Sequence, residues 1–455
     1  MSIARLVEGE VLEYIRPEPW HLKALEALVA IIKFSLERCL KKLGLEARVS
    51  VEGSFAKKTL LSDKREVDVF VLFKDVTDEW IERESLEILE KCLGGVFKIK
   101  KKYAQHPYVT VELDDLSADV VPARLIESPS ESSLGVSRTP FHTKYVLEKI
   151  QANPSLADEI RLLKSFMRGV GVYGAESGID GFSGYLAELL VVKYGGFREV
   201  LNAVSQWSPP VYIDVENAGV EEELRKRYRD SPIIVVDPVD PKRNAAASVS
   251  LEKLALFIIA SKLYVKNPDK SFFHVFSEKL RIETPAIVAF CEGDFSSRDE
   301  AVVLGKLKRV SDTLWVYLRN HGFKPLWRTY GYEGDRAVIA VGLESLSIPQ
   351  LEQREGPTAW SSSERVLAFI SKRLREEGYA WVGADGRLYG LRARSFSHVS
   401  MLAATLSAKV SQILSSDCSV EACENSWRCL RESCVNLGAL VGYPAYAWMR
   451  LALRA

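Results

Sequence analysis

The sequence predicts a multidomain protein of the α/β and α+β classes, and three observations predict it. The chain has 455 residues, 47% of them hydrophobic, enough for roughly two to four separate cores. Its first third mixes long helix-period segments with short strand-like runs. From about residue 146 the pattern turns mainly helical, and the last third returns to short strand candidates and helices.

The elements follow in order. Residues 18–44 carry apolar residues at helical spacing, and ARVSVEGS reads as a strand entering a turn. TDEWIERESLEILEKCLGG, residues 77–95, reads as a helix. VFKIKKKYA, YVTVEL and SADVVPARLI (117–126) read as strands of a mostly antiparallel or mixed sheet. This first domain is expected over residues 1–145. SLADEIRLLKSFMRGVGVYG, SGYLAELLVVKYGG and residues 249–265 are helices, with PPVYIDV and PIIVVDP as strands, in a second domain over 146–268. A third region, 269–455, offers RIETPAIVAFCE, TLWVYLRN and RAVIAVGLES as strands. The insertion KRLREEGYAWVGADGRLYGLRARSF precedes C-terminal helices. There is no internal repeat and no long low-complexity tract.

Composition narrows the function. Lys and Arg total 61, Asp and Glu 61, so a positive field over the whole protein is excluded and nucleic-acid binding needs a local basic surface. Residues 301–400 hold 15 basic against 10 acidic side chains. MSIARLVEGEVLEYIRPEPW lacks a signal-peptide apolar core, and no run approaches about 18 apolar residues. A soluble cytoplasmic protein without a membrane partner is therefore expected. Cys39, Cys92 and Cys291 sit alone in apolar settings and read as core residues. Cys418, Cys423, Cys429 and Cys434 lack the paired spacing of zinc ligands and read as helical packing rather than as metal or disulfide sites.

The stretch VEGSFAKKTLLSDKREVDVFVLF, residues 51–73, holds the chemistry. Glu66 and Asp68 are two apart, which on a strand puts both on one face, with Val67 and Val69 on the other. Adjacent carboxylates repel unless protonated or bridged, and a hard divalent cation bridges them with oxygen ligands. Asp119 lies in a similar run, ADVVP, and a neighbouring strand would set it beside the pair. A salt-bridged strand or sheet edge would also suit Glu66 and Asp68 alone. Gly53-Ser54 begins a short helix whose hydroxyl and free amides suit a terminal phosphate, or simply an N-cap. Lys57 and Lys58 follow it, and the Gly-x-x-x-x-Gly-Lys spacing of a P-loop is missing.

Gly53-Ser54, Glu66-x-Asp68 and Asp119 together resemble the nucleotidyltransferase palm of the DNA polymerase β superfamily. HPYVTVELDDLSADVVPA, SRTPFH, RLLKSFMRGVGVYGAES, GFSGYLAELLVVKYGGF and VVDPVDPKRNAAASVS then occur in the order seen in archaeal class I CCA-adding enzymes, across about residues 50–250. The resemblance implies a polymerase β-like palm, a helical or mixed central domain that reads the base, and an RNA-binding C-terminal body and tail. It implies template-independent, Mg²⁺-dependent addition and repair of the 3′-terminal CCA of tRNA from CTP and ATP, with two metal ions and release of pyrophosphate. By motif it assigns Glu66, Asp68 and Asp119 to catalysis and metal binding. Ser54, Lys57, His142, Lys164 and Tyr173 are assigned to the triphosphate, and Arg243 to the incoming base. The family often has arginine where this chain has Lys57, and lysine keeps the charge without the bidentate fork. Asp214 and Asp237 read as strand-end caps or structural acceptors.

The implied RNA partner is the acceptor-stem and T-arm minihelix, bound largely by shape and backbone. Arg319, Lys324, Trp327 and Arg328 offer basic and aromatic contacts for it, or solvated charge and packed aromatics. A homodimer is a further expectation. The competing readings are a poly(A) or other template-independent RNA nucleotidyltransferase, and a catalytically dead RNA-binding module on the same fold.

Overall fold

A computed structural model describes residues 3–103, 106–376, 378–436, 438, 440–444 and 446–454. The chain forms two compact units. The first comprises residues 1–280, 297–305 and 445–455; the second comprises 281–296 and 306–444.

The first unit opens with α1 (Ile3–Ile15) and α2 (Pro19–Lys42). Pro19 starts α2 at a position where its missing N–H costs nothing, and Lys41 and Lys42 close it against the negative end of the helix dipole. Leu25, Leu28, Ile32, Leu36 and Leu40 form its buried stripe. β1 (Ala47–Glu52), the single-turn α3 (Gly53–Ala56) and β2 (Glu66–Phe73) follow. Next come α4 (Asp78–Arg83) and α5 (Ser85–Leu93), then β3 (Lys98–Tyr103), β4 (Pro107–Leu113) and β5 (Leu116–Arg124). The helix expected over 77–95 is thus two helices, α4 capped by the Thr77 hydroxyl at 3.2 Å from Trp80 N. The five strands run in the order β1-β2-β5-β4-β3, with β2 and β5 parallel and all other pairs antiparallel. Val67, Val69 and Val71 face the core built with α2 and α5. Phe70, Leu72 and Ala123 pack on the opposite face, which also bears the carboxylates.

The rest of the first unit is α6 (Thr139–Ala152), α7 (Leu156–Gly169), α8 (Gly184–Tyr194), α9 (Phe197–Val204), β6 (Val211–Asp214), α10 (Glu221–Arg227), β7 (Ile233–Val236) and α11 (Leu251–Lys266). β6 and β7 pair in parallel. Between Leu186 and Val191 every residue of α8 is buried, which marks it as a central helix rather than a surface one. Ser183 caps its start, and Gly195, at φ +93°, ends it in the left-handed region.

The second unit is built on an antiparallel sheet ordered β14-β8-β10-β9, from β8 (Ala286–Glu292), β9 (Pro325–Glu333), β10 (Arg336–Leu343) and β14 (Asp417–Cys423). β11 (Leu351–Thr358), β12 (Ala380–Val382) and β13 (Arg387–Ala393) form a second sheet against α13 (Ser363–Glu376). α14 (Ala403–Leu414) and α15 (Ser426–Glu432) complete it, and α12 (Glu300–Asn320) begins in residues assigned to the first unit.

Two sequence expectations are corrected. TLWVYLRN is the end of α12, not a strand. Its aromatic and β-branched residues favour strands locally, but Leu307, Val310, Leu314 and Leu318 are buried at helical spacing, and that periodicity prevails. Six of the seven cysteines are bonded rather than merely packed. Cys39 joins Cys92 between α2 and α5, Cys291 joins Cys418 between β8 and β14, and Cys423 joins Cys429. Cys418 and Cys423 lie on a strand, not in a helix. Cys291 and Cys418 are direct cross-strand partners, a pairing that sequence spacing cannot express. Cys434 is free and exposed.

Candidate active site

β2 and β5 lie side by side with Asp68 opposite Asp119 in the parallel register. Glu66 is exposed, and Asp68 and Asp119 are half-buried. Burial, then the neighbouring Asp119 and Glu66 carboxylates, push Asp68 up to about 6 against the pull of Lys57 and Lys64. Burial also raises Asp119, although the Thr110 hydroxyl donates to its Oδ1 at 2.6 Å. Glu66 Oε1 accepts from Lys64 Nζ at 2.9 Å. Among the described residues, no three His, Cys, Asp or Glu side chains stand together as a preformed metal cluster. The donor set itself, two adjacent aspartates with Glu66 on the same strand face, is one of hard oxygens that suit a divalent cation.

The turn from β1 into α3 is fitted to Asp68. Gly53 has φ +68°, and a Cβ there would fall 1.8 Å from Asp68 Oδ2. Only glycine gives both the left-handed conformation and the close approach. α3 is shorter than the sequence suggests, and Lys57 lies at its C-cap. Arg161 of α7 ties down the chain beyond it, donating Nε to Leu60 O at 2.9 Å and Nη2 to Lys58 O at 2.5 Å.

A cavity of about 260 Å³ joins these pieces, with Ser54, Thr59, Glu66, Lys164, Arg168 and Tyr173 among its lining residues. Four of the residues singled out from the sequence therefore face one space: Ser54, Glu66, Lys164 and Tyr173. Tyr173 is raised well above the usual phenol range by burial and then by Glu188, so its hydroxyl stays a donor. A larger cavity of about 970 Å³ lies over β1 and α6 and is lined by none of the predicted residues.

Lys57 is buried, its Nζ 2.6 Å from Glu188 Oε2. His142 and Arg243 meet elsewhere in the same unit, on the fully buried Asp237. His142 Nε2 lies 3.1 Å and Arg243 Nη1 2.9 Å from Asp237 Oδ2, while Tyr185 donates to Oδ1 at 3.0 Å. Burial pushes Asp237 up, but His142, the Val239 amide and Arg243 outweigh it and hold the carboxylate down to about 2. The His142 and Tyr185 rings stack with centroids 4.1 Å apart. Asp214 accepts from the Gly219 amide at 3.0 Å, a loop-capping contact.

The sequence does not single out Glu188 or Tyr185, and Asp237 reads there as a structural acceptor. A charged residue inside the otherwise apolar AELLVV was the available signal for Glu188. In the second unit, Lys324 pairs with Glu344 at 2.7 Å, Arg328 contacts Asp312, and Trp327 donates to Thr284 at 3.0 Å. Three of the four proposed RNA contacts thus have intramolecular partners.

Three family models match the chain: a nucleotidyltransferase domain over residues 34–151, the second domain of tRNA nucleotidyltransferase over 158–274, and the C-terminal domain of CCA-adding enzymes over 282–420. A CCA-adding enzyme of Aeropyrum pernix is 42% identical over 392 residues, covering 85% of this chain and 84% of that protein. One of Saccharolobus shibatae is 40% identical over 395 residues, covering 86% and 89%. One of Sulfurisphaera tokodaii is 37% identical over 413 residues, covering 89% and 92%.

Proposed function

The chain belongs to the CCA-adding enzyme family, and from that premise we propose how its own residues serve the template-independent addition of CCA to the 3′ end of tRNA. The observation that carries the reading is the parallel register of β2 and β5, which sets Asp119 beside Asp68 on the strand face that also bears Glu66.

These three carboxylates would hold Mg²⁺, Glu66 exchanging its Lys64 contact for the ion. When bound, two ions would favour ionisation of the attacking hydroxyl and neutralise the leaving pyrophosphate. The RNA 3′ hydroxyl attacks the α-phosphorus of CTP or ATP, one P–O bond forms, and the bond to pyrophosphate breaks. Ser54, Lys164 and Tyr173, converging on one cavity, orient the β- and γ-phosphates with two hydroxyl donors and one ammonium. Asp237 takes one Arg243 nitrogen, leaving the rest of a part-exposed guanidinium fork for the base edge. His142, which the motif assigns to the triphosphate, is held by the same carboxylate beside Arg243 and away from the cavity of Ser54, Lys164 and Tyr173. Positioning and electrostatic stabilisation supply most of the effect.

Residues 1–145 would carry the chemistry, 146–268 the reading of the base, and 269–455 the grip on acceptor stem and T-arm, in a homodimer. No described helix is long and apolar enough to cross a membrane. The test is incubation with tRNA lacking CCA, labelled CTP and labelled ATP. Addition of C, C and A in a fixed order is expected. An open-ended A tail would instead mark a poly(A)-type enzyme, and binding without transfer would mark a dead module.

A further inference from the structure

Two lysines share one carboxylate behind the phosphate cavity. Glu188 Oε2 accepts from Lys57 Nζ at 2.6 Å, and Oε1 accepts from Lys164 Nζ at 2.7 Å and from the Thr59 hydroxyl at 3.0 Å. Lys164 Nζ also donates to Thr59 Oγ1 at 2.9 Å. The side chains of Lys57, Lys164 and Glu188 are 8%, 3% and 1% exposed. A carboxylate with two ammonium groups leaves one net positive charge in a largely buried cluster. Of the three, only Lys164 lines the cavity shared with Ser54 and Tyr173.

We propose that Glu188 is a positioning residue for nucleotidyl transfer, fixing Lys164 Nζ at the phosphate cavity and keeping it charged, and that Lys57 serves the site through Glu188 rather than by touching the nucleotide. The proposal rests on reading Lys164 as a phosphate contact. An ammonium buried without a counter-charge gives up its proton. Burial lowers Lys164, Glu188 raises it, and the Lys57 ammonium and Arg161 guanidinium lower it further. Glu188 is thus the carboxylate bonded to Lys164 that opposes the loss of its proton. The phenols of Tyr173 and Tyr185, also beside Glu188, are raised by burial first and stay neutral. Lys57 has its ammonium 5.8 Å from the Tyr185 ring centroid, a second contact that holds it in the interior.

The experiment is kcat/KM for CTP and ATP on tRNA lacking CCA, across pH 6 to 9. Glu188→Gln is expected to move the alkaline limb to lower pH by about one unit or more. The loss at the alkaline end, about tenfold, appears mainly in KM. Glu188→Asp restores the charge and returns the limb toward its wild-type position. Lys57→Met removes a repelling ammonium and moves the limb the other way, to higher pH. A Glu188→Gln enzyme that loses activity with its limb fixed would give Glu188 a merely structural role and overturn the proposal. Lys57→Met raising KM with an unmoved limb would place Lys57 on the nucleotide and overturn the second half. Should Glu188→Gln not fold, the direction of the Lys57→Met limb decides. A wild-type protein that fails to add C and A sinks the function itself; active variants with unmoved limbs sink only this inference.

Discussion

Asp68 occupies a strand face otherwise filled by Phe70 and Leu72, beside the carboxylate of Asp119, where an ion without a partner is costly. Replacing it tests the metal assignment. Asp68→Ala is expected to lower kcat by at least about a hundredfold while tRNA binding, read by gel shift, persists. Full transfer by that variant would remove Asp68 from catalysis. Glu188 and Asp237 make a different prediction, about stability. Lys164 and Lys57 hold Glu188 down to about 2, from 4.5, although burial alone would raise it. A folded pKa below the unfolded one stabilises the protein above the unfolded value, and that stability is lost as pH falls through the folded value. The window therefore runs from about pH 4.5 down to about 2, with Asp237, also held to about 2, contributing in its lower part. Melting temperatures should fall steeply across this window in the wild type and less steeply in Glu188→Gln. Equal slopes in the two proteins would refute the linkage.

At the scale of elements, the junction of β1 and α3 sets the room that Asp68 has. Gly53→Ala must accommodate a Cβ against Asp68 Oδ2 in a backbone conformation that alanine rarely adopts. It should cost about 1 kcal/mol or more of stability. It should also lower kcat by displacing Asp68, with little change in RNA affinity. Near-normal kcat in a folded Gly53→Ala protein would mean that Asp68 has room the structure denies it. α8 acts at the same scale: it delivers Tyr185 to Asp237 and Glu188 to the two lysines from adjacent helical turns. α12 shows which local rule prevails, since TLWVYLRN has strand-favouring residues yet continues a helix whose buried stripe starts at Val303.

For the whole molecule, the disulfides differ in the length of chain they close. Cys291–Cys418 spans 127 residues of sequence and Cys423–Cys429 spans 6. Loop-closure entropy makes the first worth about 5 kcal/mol and the second about 2. Cys291→Ser should therefore lower the melting temperature more than Cys429→Ser, as read by calorimetry without reductant. The opposite order would argue against the entropic account. The neutral net charge puts any RNA grip into local surfaces. Lys324 and Arg328 are engaged with Glu344 and Asp312, so their replacement should change tRNA affinity less than a free basic side chain would.

The sequence by itself determined the strand that bears the carboxylates. Period-2 spacing put Glu66 and Asp68 on one face, Gly53-Ser54 marked the turn before them, and the ordered motifs named the family. These are local facts, carried by neighbours in the chain. Tertiary structure decided what depends on distant partners. It placed Asp119 in register with Asp68, set Lys57 on Glu188, and gathered His142 and Arg243 on Asp237. It also bonded cysteines read as packing and kept TLWVYLRN helical. A buried charge, a disulfide or a register is settled by which segments meet in space, and one partner of Glu188, Lys57, lies 131 positions away.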